Sequence, residues 1–238
     1  MGTMTHPGTT AVSDHVLEAA SELFASEGLY RVGINRIIDE AGVAKATFYR
    51  HFPSRDHLVL VYVDGLGRRW AAALKEAAGP FATHPADQLL NMFDALAWDG
   101  HPGDDRGAAA FLRASAETRP GTAAHRKITE HKERIQEWIA GLATQSGAGD
   151  PEKLARTLEP ILEGGQASEV TSPDPEAPNL AREAARHVIR SAISSTAQTA
   201  SIVRESVLAL VPSTSLSRWA LSTQDKLDQD IGIPNQLA

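Results

Sequence analysis

The sequence predicts an all-α fold: a small three-helix N-terminal domain containing a helix-turn-helix, followed by a larger helical body. Three observations lead there. Apolar residues recur at helical spacing along most of the chain, and no stretch shows a convincing period-two alternation. The interruptions carry turn chemistry, as at Gly79-Pro80, Arg119-Pro120-Gly121 and Ser172-Pro173-Asp174-Pro175. Two short helical patterns, from Ile34 to Ala41 and from Val43 to Phe52, flank a turn at Gly42, and the second is crowded with hydrogen-bond donors.

The first helix is expected from Ser13 to Glu27, where Val16, Ala19, Ala20, Leu23 and Phe24 share one face. Gly28 is placed to end it in a left-handed conformation. In the second helix Ile34, Ile37, Ile38 and Ala41 follow i, i+3, i+4, i+7 spacing and would pack on Leu23 and Phe24. In the third, Val43, Phe48 and Phe52 face inward. Pro53 stops it, and Ser54 caps a fourth helix running from Arg55 to about Ala78. Leu58, Val61, Tyr62, Leu66, Trp70 and Leu74 form the buried stripe of that helix. Further helices are expected at Pro85–Trp98, Arg106–Thr118, Gly121–Thr144, Pro151–Glu163 (closed by Gly164-Gly165) and Asn179–Leu210. The domains follow: a disordered tail over 1–10, a first helical domain over 11–71 with its helix-turn-helix at 33–52, a body over 72–211, and an extension over 212–238 with a short helix around Leu216–Leu227.

Composition sets bounds on function. At 238 residues, with 42% hydrophobic and 22% charged residues, the chain is an ordinary soluble globular protein. It has no cysteine, which excludes disulfides and zinc-thiolate sites and fits a reducing cytoplasm. The N-terminus lacks the basic and apolar regions of a signal peptide, and no stretch is apolar enough to span a bilayer. Net charge is −7 and the pI about 5.7, so the whole-chain basic bias of many nucleic-acid binders is absent. Locally the balance reverses. Lys45, Arg50, His51 and Arg55 lie between Gly42 and Arg55 with no acid among them. Charge alone favours the plainer reading of a solvated helix face; the constellation favours DNA.

A short protruding helix with small residues at Ala44 and Ala46 fits the major groove. Lys45, at its start, is the candidate for direct base readout through guanine O6 and N7. Thr47, Tyr49 and His51 carry donors suited to phosphate oxygens, and Arg50 suits either target. Ala46 stays exposed at the helix edge. Asn35 sits beside free backbone N–H groups in the first turn of the preceding helix, a natural phosphate site. Arg55 could clamp the flanking backbone.

These residues carry a resemblance. The segment Val16–Leu60 resembles the DNA-binding domain of TetR-family transcriptional repressors. It does so through Ala19-Ala20, Leu23-Phe24, Gly28, Ile34, Ile37, Ala41-Gly42-Val43-Ala44-Lys45-Ala46-Thr47-Phe48-Tyr49, His51-Phe52 and Ser54-Arg55. By motif position the resemblance puts Lys45, Thr47, Tyr49 and His51 on DNA, supported by Asn35 and Arg55. Two positions depart from it: Gly33 stands where the family often has Ser or Thr, and Arg55 where it often has Lys. In the body, Arg106–Leu112, Ala116-Glu117, His131-Lys132 and Leu162-Glu163-Gly164 are similar to the subgroup of the lincomycin-efflux repressor, which is associated with drug-like or flavonoid-like effectors.

A sensing body needs an apolar cavity with a few polar anchors. Trp70, Phe93, Trp98, Phe111 and Trp138 are the candidate lining residues. The Ala- and Ser-rich helix Asn179–Leu210 permits close helix approach and, with Pro151–Glu163, could form a four-helix interface across a two-fold axis. The expected partners are double-stranded DNA, a second copy of the chain and a small-molecule effector, with no membrane and no cofactor. Motifs for a nucleophile elbow, a zinc protease, a phosphate loop and a dinucleotide fold are absent. His125, Glu130 and His131 make a poor metal site. No catalytic residue is expected, which leaves an uncharacterised helical enzyme or a protein-interaction module as the alternatives.

Overall fold

The computed structural model describes residues 7–79, 84–97, 108–171 and 174–210, with side chains described over 11–79, 84–96, 109–168 and 174–194. All regular structure among them is helical. The helices are α1 (Pro7–Glu27), α2 (Ile34–Glu40), α3 (Lys45–His51), α4 (Arg55–Ala78), α5 (Pro85–Asn91), α6 (Ala108–Glu117), α7 (Ala123–Gln145), α8 (Pro151–Thr171) and α9 (Ala177–Leu210), with a 3-10 segment at Met92–Ala97. The chain divides into two compact units, Met1–Ile193 and Ser194–Ala238, and α9 contributes to both. Among the described residues no helix is long and apolar enough to cross a membrane. The extension over 212–238 lies outside the described residues.

The N-terminal elements form as their local chemistry dictates. The apolar face of α1 is buried, and Gly28 closes the helix at φ 90° with its N–H on the Phe24 carbonyl at 3.0 Å. At the end of α2, Gly42 takes φ 60°. Its N–H donates to the Asp39 carbonyl at 3.1 Å, and the Val43 N–H to the Ile38 carbonyl at 3.3 Å. That pair of bonds is a Schellman closure, and it turns the chain directly into α3. Phe48 and Phe52 are buried with ring centroids 5.7 Å apart.

The 24 residues of α4 span about 36 Å. Ser54 caps this helix, its hydroxyl accepting from the His57 N–H at 3.1 Å. Its first half supplies Leu58, Val59, Tyr62 and Val63 to the N-terminal core, where the Tyr62 ring meets Phe24 at 5.1 Å. Its second half buries Trp70, Ala73, Leu74 and Ala78 in the body, against α5, α7 and the 3-10 segment. One continuous helix therefore belongs to both cores.

Four expectations are corrected. α1 begins at Pro7, so residues 7–10 are helical rather than tail. The helix expected over Pro85–Trp98 is α5 followed by the tighter 3-10 turn, which aligns Met92 with Ala95 and Phe93 with Leu96 and buries all four. The glycines expected to end α8 at Glu163 lie inside it. A Cβ on Gly165 would come 2.6 Å from Leu96 Cδ1 and 3.5 Å from the Ala181 Cβ, so this glycine serves close packing rather than a turn. In the small-residue stripe of α9, Ala181 and Ala185 are buried in the protomer's own core.

Candidate functional site

α3 is anchored from behind and free in front. Phe48 is fully buried, whereas Lys45, Ala46, Tyr49 and Arg50 are exposed and Thr47 and His51 half-buried. Tyr49 lays its ring edge-on to Phe48 at 5.4 Å and stays 39% exposed. Lys45 and Arg50 have no ion-pair partner among the described residues, and no carboxylate lies in the helix to neutralise them. Unpaired cations on a rigid, narrow ridge are suited to a polyanion. His51 is half-buried, and its Nε2 lacks a hydrogen-bond partner among the described residues.

Asn35 is exposed in the first turn of α2. Gly33 takes the cap position in an extended conformation and offers no side-chain bond, so the first N–H groups of α2 stay open to an outside acceptor. Arg55 is used internally. Its guanidinium donates to the Leu29 carbonyl, reaches the Val32 carbonyl at 3.4 Å, and stands 5.4 Å from the Tyr30 ring centre. It braces the α1–α2 loop against the start of α4.

Deeper in the chain lies a partly open cavity. Trp70 of α4 and Phe111 of α6 line it, as expected from the sequence. Phe93 is buried in the core and does not line it, and Trp98 lies outside the described residues. Trp138 also stands apart, with the Lys75 Nζ 5.9 Å from its ring centre. The polar lining was not anticipated: Lys132 and Gln136 on α7, and Glu159, Glu163 and Gln166 on α8. A signal was present. Lys132, Ile135, Gln136 and Ile139 repeat at i, i+3, i+4, i+7, as do Glu159, Leu162, Glu163 and Gln166, so each helix carries polar residues inside an otherwise inward face.

Two sets of contacts run from the cavity towards α3. Phe111 stands edge-on to the His131 ring at 6.5 Å, and His131 Nε2 lies 2.8 Å from the Asp64 carboxylate of α4. Six residues beyond Phe111 on α6, Glu117 accepts the Leu29 N–H at 2.5 Å. Arg113 Nη1 donates to the Ala25 carbonyl at 2.7 Å. Helices α4 and α6 each touch both the cavity and the N-terminal domain.

Comparisons with known proteins agree with this architecture. Residues 16–62 match the family model described as bacterial regulatory proteins, tetR family. An uncharacterised HTH-type transcriptional regulator of Mycobacterium tuberculosis is 34% identical over 82 residues, which is 34% of this chain and 40% of that protein. TcmR, an HTH-type transcriptional regulator of Streptomyces glaucescens, is 26% identical over 133 residues, covering 53% of this chain and 58% of TcmR. The chain thus matches these curated relatives over about two fifths and three fifths of their length. The crystal structure of a TetR-family transcriptional regulator from Streptomyces coelicolor is similar at a TM-score of 0.65 and 29% identity, over 79% of this chain and 96% of that one. With its helix-turn-helix at the N-terminus, the chain is similar in fold to TetR-family transcriptional regulators, and residues 16–62 match the model of that family.

Proposed function

We propose that this regulator is a repressor that binds a palindromic operator as a homodimer in the cytoplasm and is released by a small molecule held in the α4–α6–α7–α8 cavity. The observation that carries the reading is α3. Phe48 is locked in the core while Lys45 and Arg50 stand at the surface without ion-pair partners among the described residues, and Tyr49 stays 39% exposed beside them. In this reading Lys45 reads a base edge. Thr47, the Tyr49 hydroxyl, Arg50, His51 and Asn35 meet phosphates, and Ala46 permits close approach. Arg55 holds the α1–α2 loop in place for them. The DNA-binding domain spans 11–71 and the sensing and dimerising body 72–211.

Release needs the cavity and α3 to move together. α4 lines the cavity through Trp70 and carries the N-terminal core through Leu58 and Tyr62, so a ligand that tilts it changes the spacing of two α3 helices across a dimer. Ligand and operator then oppose each other by about 1–3 kcal/mol, or 5–150-fold in affinity. The residues that resemble the lincomycin-efflux-repressor subgroup support a drug-like or flavonoid-like effector, because Phe111, Leu112, Lys132, Leu162 and Glu163 all line the cavity. A dimer through α8 and α9 is supported by the exposed Leu180, Ala184 and Ser191 on the described part of α9.

Selecting bound sequences from a random DNA pool tests the reading. The expected product is a palindrome with half-sites about one helical turn apart, bound with an affinity that falls steeply between low and moderate salt. Lys45→Ala with Tyr49→Phe should weaken the selected site, with about 1–3 kcal/mol lost at the base contact alone. An unchanged gel shift for that double variant, or a shallow salt dependence, would move the chain to the protein-interaction class.

A further inference from the structure

The cavity's polar groups are unevenly matched. Lys132 Nζ is bonded to the Glu163 carboxylate, so that pair is internally compensated. Glu159 is left with a single neutral donor, Gln136 Nε2 at 3.3 Å. The cavity residues of α4 and α6 (Trp70, Phe111, Leu112 and Ser115) carry no charge, so Lys132 from α7 and Glu163 from α8 are the charged groups that Glu159 meets there. Two carboxylates against one ammonium leave the cavity with one negative charge in excess. Burial, and after it the Glu163 carboxylate, hold the Glu159 carboxyl above the usual range, with Lys132 opposing.

Seven residues further along the same face of α8 sits Gln166, about 10 Å away by helix rise. Its residue is 3% exposed, and its Nε2 is buried without an acceptor among the described residues. Buried amide donors are almost always satisfied in folded proteins. Gln166 lines the same cavity as Trp70 and Phe111, so a ligand seated there is the candidate for the missing acceptor.

We infer that the cavity takes an aromatic organic cation, its protonated amine on the Glu159 carboxylate, its ring system against Trp70 and Phe111, and an oxygen acceptor about 10 Å from the amine on Gln166 Nε2. The inference rests on reading this cavity as the effector site.

Two matched probes test it: 2-(6-methoxynaphthalen-2-yl)ethylamine and the corresponding alcohol, 2-(6-methoxynaphthalen-2-yl)ethanol. Each is titrated calorimetrically into the full chain as wild type, Glu159→Gln and Gln166→Leu, with circular dichroism to establish that each variant is folded. The amine should bind the wild type about tenfold or more tighter than the alcohol, the scale of one charge-assisted hydrogen bond. Glu159→Gln should erase that preference, and Gln166→Leu should weaken both probes. Equal binding of the two probes to the wild type, or a preference that survives Glu159→Gln, overturns the cation assignment and keeps the cavity as a binding site. Absence of heat from either probe overturns both. An amine that binds selectively but leaves affinity for pool-selected DNA unchanged upholds the ligand class and removes the effector role.

Discussion

Gly67 of α4 faces α7 with no room for a side chain. A Cβ there would come 2.3 Å from Cδ2 of His131, 2.4 Å from Cγ and 2.8 Å from Nε2. These are atoms of a ring that is itself 4% exposed, bounded by Asp64 on one side and Phe111 on another. Gly67→Ala therefore sets two effects against each other. Alanine stabilises a helix interior by about 1 kcal/mol relative to glycine. Overpacking a buried site costs about 1–3 kcal/mol. If the ring tips away to make room, the His131–Asp64 hydrogen bond is lost as well, at about 1.5 kcal/mol given that Asp64 is partly open to water. The destabilising effects win, with a net loss of about 2–3 kcal/mol, or roughly 5–10 °C in melting temperature for a chain of this size. Gly164→Ala is the control, because nothing lies within 4 Å of its added methyl. It should gain about 1 kcal/mol and melt a few degrees higher. Thermal melts of the three chains under one buffer decide the matter. A Gly67→Ala chain that melts at or above the wild type would show that the His131 ring yields freely, and the account of α4 against α7 would fail.

Two further outcomes are expected. Arg55→Ala should lower stability by about 1–3 kcal/mol through the freed Leu29 and Val32 carbonyls, and Arg55→Lys should recover little, because an ammonium cannot reproduce the fork. A variant as stable as wild type but weaker on pool-selected DNA would make Arg55 a phosphate clamp instead. Burial alone would raise the Asp64 pKa, but the His131 hydrogen bond and the Arg68 charge outweigh it and hold the carboxyl below its ordinary value of 3.8. A carboxyl lowered on folding adds stability above its unfolded pKa and loses it as the pH falls through the folded one. The stability difference between wild type and Asp64→Asn should accordingly shrink below about pH 4 in pH-resolved urea melts. A difference that stays constant down to pH 2 would refute the pairing.

The helix-turn-helix was the most legible part of the chain. Gly28 adopts the left-handed conformation expected of it, Gly42 makes the expected turn, and α4 runs from Arg55 to Ala78 between the Ser54 cap and Gly79. Signals of this kind are local. A cap, a left-handed glycine or an apolar spacing acts within one or two turns, so neighbouring residues suffice to read it. The exposed face of α3 was legible for the same reason: Phe48 and Phe52 fix which side is buried, and Lys45, Tyr49 and Arg50 follow by helical geometry.

The cavity was legible only in part. Trp70 and Phe111 were anticipated as large, scarce aromatics, but so were Phe93 and Trp138, which the tertiary structure sends elsewhere. Whether an aromatic fills a core or walls a cavity depends on what faces it from another helix. Glu159 and Gln166 carry only a helical spacing in the sequence; it is the packing of α6 and α7 on α8 that puts them in the cavity wall.

By itself, the sequence determined the helix-turn-helix, the Ser54 cap of α4 and the donor-bearing face of α3, because each arises from interactions between residues close along the chain. Tertiary structure alone decided the rest. It turned Arg55 onto the Leu29 and Val32 carbonyls, used Gly165 as a packing notch for Leu96, set His131 against Asp64 and Gly67, and enclosed an unbalanced carboxylate and an unpaired amide in one cavity. Each of these joins residues far apart in sequence, where packing volume and desolvation, rather than local preference, set which groups meet.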